Sequence, residues 1–106
     1  MSVVNLLHET VEAIQEVGKV KADVLWVGSD DGRYAMKWSE FEDIAVGVNY
    51  DNGYGGNEIA MDLVVVFKDK TWLSRYEYDG AEWWIYNKLP VRDHPVKFTT
   101  VIRRVE

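Results

Sequence analysis

Along the first part of the chain, hydrophobic positions recur at a helical spacing. Over residues 2–17, Val4, Leu7, Val11 and Ile14 fall on one stripe with Glu9, Glu12 and Glu16 off it, and Gly18 offers a C-terminal stop. This spacing predicts an amphipathic helix. Packing of its stripe on the chain's own sheet is the simpler use of it, and a partner-binding helix is the other.

The period then changes to two. "ADVLWVGSDDGRYAMKW" reads as two strands about an Asp31-Gly32 turn, which sets Val27 opposite Met36, Leu25 opposite Trp38 and Asp30 opposite Arg33. "SEFEDIAVG" follows as a short helix with Ser39 as N-cap, Glu42 as its capping-box partner, and Phe41, Ile44 and Ala45 facing inward. "IAMDLVVVFK", "TWLSRYEY" and "AEWWIYN" read as a meander with turns at Asp69-Lys70 and Asp79-Gly80, and "VKFTTVIRRV" as a last strand. The expected class is α+β: an N-terminal amphipathic helix on a largely antiparallel sheet of five to six strands, with a short helix after the first hairpin.

Two-residue turns fix register, and register decides which side chains share a face. The Asp79-Gly80 turn pairs Tyr76 with Trp83, Arg75 with Trp84, Leu73 with Tyr86 and Glu77 with Glu82. A two-residue loop at Asp69-Lys70 would pair Phe67 with Trp72, Leu63 with Tyr76, Val64 with Arg75 and Asp62 with Glu77. One face then carries Met61, Leu63, Val65, Phe67, Trp72, Tyr76, Tyr78, Trp83 and Ile85 as a core layer. The other carries a row of carboxylates, Asp62, Glu77 and Glu82, beside Val64, Arg75 and Trp84, with Val66, Leu73 and Tyr86 further along.

Like charges in adjacent strands repel, so the row asks for a cation. Arg75 can supply it while stacking on Trp84. Alternatively, acids and exposed aromatics form a binding face for a basic partner, because Trp, Tyr and Arg most often anchor interfaces. A metal is the third possibility.

The stretch "YDNGYGGNE", residues 50–58, borders this row. No Lys or Ser/Thr follows its glycines, and a strand follows where phosphate motifs need a helix N-terminus. Asp51, Asn52 and Glu58 could offer oxygens to Ca²⁺ but lack the spacing of an EF-hand loop. The glycines are expected to let the chain turn, leaving Tyr50 and Tyr54 open to contact. With Asp51 and Glu58 the loop extends the acidic, aromatic patch.

With 106 residues, 47% hydrophobic, the chain suits one domain spanning residues 1–106 with a single core. The net charge of −6 is uneven: residues 1–87 hold 7 bases and 16 acids, residues 88–106 hold 5 bases and 2 acids. Direct nucleic-acid binding is disfavoured, because phosphate affinity comes from Lys and Arg. The absence of Cys suits a reducing compartment, here the cytoplasm, and neither a membrane span nor a signal peptide is visible.

Catalysis finds little support. His8 and His94 have no visible nucleophile, since Ser2, Ser29, Ser39 and Ser74 sit in terminus, turn, cap and strand contexts. Glu77 and Glu82, opposed on neighbouring strands, stand too close for glycoside chemistry. We expect no enzyme, no cofactor and no resident metal.

Taken together, "DGRYAMKWSEFEDIA", "YDNGYGGNEIAMDLVVVF" and "WLSRYEYDGAEWW" resemble small, mostly uncharacterised accessory proteins of bacteriophages and prophages. The resemblance covers about half the chain, from Asp31 to Trp84, and brings no catalytic residues. It implies a factor that binds and disables a host protein, such as a restriction or CRISPR component, in the bacterial cytoplasm. The partner-binding residues expected are Asp62, Glu77, Glu82, Trp84, Arg75, Tyr86, Tyr54, Asp51 and Glu58. Alternatives are a binder of a nucleotide-like ligand stacked on Trp84, Tyr86 and Tyr54, and a structural phage component.

Overall fold

The computed structural model describes residues 3–53 and 58–90. Its elements run β1 (Val3–Asn5), α1 (Leu6–Glu16), β2 (Val24–Ser29), β3 (Ala35–Met36), α2 (Trp38–Ala45), β4 (Asn49–Asp51), β5 (Leu63–Phe67), β6 (Trp72–Tyr78) and β7 (Ala81–Asn87). The class is α+β as expected. A five-stranded antiparallel sheet has the order β3-β2-β5-β6-β7, and β1 pairs with β4 in a separate two-stranded sheet. The expected last strand lies outside the described residues.

The first helix is shorter than its hydrophobic spacing suggests because residues 3–5 are spent on strand pairing. Asn5 makes the transition. Its side-chain oxygen caps the helix by accepting the His8 N–H at 3.1 Å, and its amide donates to the Val46 carbonyl at 2.9 Å. The buried stripe is Leu6, Thr10 and Ile14, with Val4 and Leu7 only partly buried. Gly18, at φ +76, ends the helix as expected. Packing on the sheet makes Thr10 a core position, since its hydroxyl donates to the Leu6 carbonyl at 2.7 Å and accepts the Trp84 indole N–H at 2.9 Å.

The second helix starts two residues early. Lys37 is the N-cap position, and the Glu40 carboxylate accepts the Lys37 N–H at 2.9 Å, so Ser39 and Glu42 do not form the cap. Trp38 is therefore helical, and the described β2–β3 pairing stops at Val27↔Met36 without reaching Leu25 and Trp38. Phe41 and Ala45 are buried as expected, but Ile44 is exposed. Both helices join one cluster with Val27, Val65, Phe67 and Leu73, so they cover the same side of the sheet.

Val27 pairs with Met36 as expected. At Gly28 the third strand comes so near that a Cβ would stand 1.9 Å from the Tyr34 carbonyl oxygen. Between Val24 and Trp26 the pairing with β5 slips by one residue, a bulge that turns Val24 toward Phe67 and the core and Trp26 toward Val66 on the other side.

The main correction is at the β5–β6 loop. Phe67 pairs across to Thr71 through a 2.8 Å N–H to carbonyl bond, leaving three loop residues, Lys68, Asp69 and Lys70, with Lys70 left-handed at φ +70. Three-residue hairpins commonly end on such a residue. The register is therefore Val64↔Ser74, Val65↔Leu73 and Val66↔Trp72, one residue from the predicted one. The β6–β7 register is as predicted, with left-handed Asp79 and Gly80 at the turn.

That one residue exchanges the faces of β6 and β7 relative to β5. Leu73, Arg75, Glu82 and Trp84 turn inward with Val65 and Phe67. Met61, Tyr76, Tyr78 and Trp83, assigned to the core layer above, are exposed, and Trp72 and Ile85 are partly so. Of that layer Val65 and Phe67 are buried and Leu63 packs against the core.

Candidate functional site

The expected row of three exposed carboxylates does not form. Glu82 is 1% exposed, Glu77 sits at the open end of β6, and Asp62 precedes β5 in phase with its outward side chains. Glu77 instead serves its turn, accepting the Gly80 N–H at 2.8 Å.

What the inward turn of β6 and β7 creates is a buried ionic network. Arg75, 5% exposed, donates from its two terminal nitrogens to Glu9 at 3.0 Å, Glu82 at 2.9 Å and the Tyr50 hydroxyl at 2.8 Å. Tyr50 in turn donates a short hydrogen bond to Glu9. The guanidinium carbon also lies 4.7 Å from the Trp84 ring centroid, a cation–π contact. Thus Arg75 does neutralise Glu82 and stack on Trp84, but in the interior, where unpaired charge would be costly.

The network sets two ionisations. Burial raises the Tyr50 pKa, and its bond to Glu9 raises it further, against the lowering effect of Arg75. Burial alone would lower the Arg75 pKa, but Tyr50 and Glu9 outweigh it and the pKa rises. Tyr50 stays a neutral donor and Arg75 stays a cation.

Tyr50, expected to be open to contact, is 4% exposed. Tyr54 lies outside the described residues, as do His94 and the glycines Gly55 and Gly56. The described residues on either side of 54–57 are tied to Glu82, whose carboxylate accepts the Glu58 N–H at 2.7 Å and the Ile59 N–H at 3.2 Å, and whose own N–H donates to the Asn52 carbonyl at 3.0 Å. Asp51 and Glu58 are joined by a 3.1 Å bond from the Asp51 N–H to the Glu58 carboxylate. Their polar groups brace the loop, and among the described residues no group of three or more His, Asp or Glu is placed to hold a metal.

Acids and aromatics do meet elsewhere. A groove of about 200 Å³ between α1 and β7 is lined by Glu9, Glu12, Ala13, Glu16, Trp83 and Trp84. Glu12 and Glu16 are exposed there, and Glu12 pairs with His8 at 2.8 Å. The helical acids were visible in the sequence as the polar side of the stripe. Their neighbours on β7 were not, because that required the tertiary pairing of α1 with the last described strand.

The opposite face of the sheet carries a second feature. Trp26, Val66 and Trp72 lie side by side across β2, β5 and β6, and Tyr76 pairs with Trp83 beyond them, their rings 5.1 Å apart. Of the residues expected at a binding face, Tyr86 is exposed, near Lys19, whereas Arg75, Glu82 and Trp84 are buried. Among the described residues no helix is long and apolar enough to cross a membrane. Compared with known proteins, the chain matches no family model, no curated protein and no solved structure.

Proposed function

We propose that this chain is a non-enzymatic accessory protein that binds a basic surface of a host protein and blocks it. The observation that carries this reading is the groove between α1 and β7, whose walls are the acids Glu9, Glu12 and Glu16 of the helix and Trp83 and Trp84 of the strand. Several carboxylates on one wall of a groove suit Lys and Arg, the residues with which a nucleic-acid-handling protein grips phosphates. The net charge of −6 adds steering, which speeds association with a cationic partner and fades with salt. The resemblance to phage accessory proteins supports a bacterial defence component, restriction or CRISPR, as the target, and the host cytoplasm as the place.

The test is capture of proteins from a bacterial lysate on the immobilised chain at low and moderate salt, with the same done for a Glu12→Lys/Glu16→Lys variant. A stoichiometric nucleic-acid-handling protein, lost both at higher salt and on charge reversal, is the expected result. A captured protein indifferent to salt and to the reversal would move the site away from this groove. The nucleotide-binding alternative loses its central platform, because the Trp84 ring is already covered by Arg75.

A further inference from the structure

On the face of the sheet that neither helix covers, a cavity of about 360 Å³ is lined by Trp26, Asp30, Val64, Val66 and Trp72. Four walls are apolar and one is a carboxylate. We propose that this cavity is a slot for one arginine or lysine side chain of the bound partner, a proposal that rests on the reading of the chain as a binder of basic proteins.

The argument is one of complementarity. A long basic side chain is an apolar stem with a charged head, and it lays the stem along apolar surface while keeping the head near water or an anion. Here Trp26, Val66 and Trp72 form a continuous apolar strip across three strands. Asp30 supplies the anion at one end, and a second carboxylate, Asp62, is its backbone neighbour, since the Asp30 N–H donates to the Asp62 carbonyl at 2.8 Å. Both acids are exposed. Indole faces also prefer a cation to a neutral head group. The interior offers the same chemistry already filled: Arg75 lies between two carboxylates and over Trp84.

A second copy of the chain suits the slot poorly, because each copy carries −6 and the charges repel. An acidic peptide is excluded on the same ground.

The full chain, labelled with ¹⁵N, is titrated with the peptide acetyl-Ala-Arg-Leu-Arg-Ala-amide and with the same peptide carrying citrulline for arginine. Citrulline keeps the shape and removes the charge without touching the protein's fold. Expected are shifts of the Trp26 and Trp72 indole N–H signals with the arginine peptide, reduced with citrulline, and an affinity about three- to fivefold lower in Asp30→Asn/Asp62→Asn. Shifts confined to Glu12, Glu16 and Trp83 would overturn the slot yet leave the groove reading standing. No shift in either place would overturn the slot and count against the electrostatic reading as well. Equal shifts with both peptides would overturn the slot's preference for a cation.

Discussion

Arg75 and Trp84 are directly opposed across β6 and β7, and the guanidinium of the first rests 4.7 Å from the ring centroid of the second inside the core. The pair decides which side of the sheet is the interior. Two salt bridges, to Glu9 and Glu82, hold the cation there with side-chain exposure of 0% on Arg75.

Removing Arg75 therefore takes the guanidinium away from Glu9 and from buried Glu82. Arg75→Met is expected to cost about 3–5 kcal/mol of unfolding free energy, as for other broken buried pairs. Arg75→Met combined with Glu82→Leu should recover part of that cost and still free the Glu58 and Ile59 N–H groups from their acceptor. Urea unfolding of the three proteins tests the first statement, and amide exchange at residues 58 and 59 tests the second. If Arg75→Met unfolds at the wild-type urea concentration, the network does not hold the core.

Lys70 takes a left-handed conformation that glycine adopts with less strain. Lys70→Gly is expected to stabilise the hairpin by about 0.5–1 kcal/mol. A raised thermal midpoint with unchanged amide shifts in β5 and β6 is the result to look for. A lowered midpoint would mean that the lysine side chain contributes more than its backbone costs.

Asp69, in the same loop, accepts hydrogen bonds from Lys19 and from Thr71, and these hold its pKa down to about 2, the Lys19 bond being the larger cause. With the folded value below the ordinary carboxylate value of 3.8, the stabilisation is fully present above that value and lost as pH falls through it toward 2. A carboxyl carbon titration followed by NMR should show the Asp69 midpoint near 2. In Lys19→Met the midpoint should rise toward the ordinary value, and a midpoint unmoved by that change would remove Lys19 as the cause.

The class of fold was legible in the chain because its longest signals are unambiguous: a helical stripe ended by Gly18, and a turn at Asp79-Gly80 whose residues suit positive φ. The register across β6 and β7 followed from that turn. The β5–β6 register did not, because nothing about a lysine announces a left-handed backbone. Hydrophobicity also pointed the wrong way. A face of Trp72, Tyr76, Trp83 and Ile85 reads as more apolar than one of Leu73, Arg75, Glu82 and Trp84, and tertiary partners such as Glu9, Tyr50 and Thr10 make the second face buriable. The candidate site moved with it. Of the expected binding residues, Glu58, Asp62, Glu77 and Tyr86 are exposed, while Arg75, Glu82 and Trp84 are buried, with the Glu82 carboxylate accepting the Glu58 and Ile59 N–H groups.

The bulge between Val24 and Trp26 separates two kinds of constraint within three consecutive residues. Val24 belongs to the packed interior, Trp26 to the face that neither helix covers, and the extra residue lets each be chosen without reference to the other. Substitutions along the Trp26, Val66 and Trp72 strip can thus accumulate while the interior stays the same. Selection for a new partner can act on this side of the sheet as it would on an independent surface, with the folding requirement already met on the other.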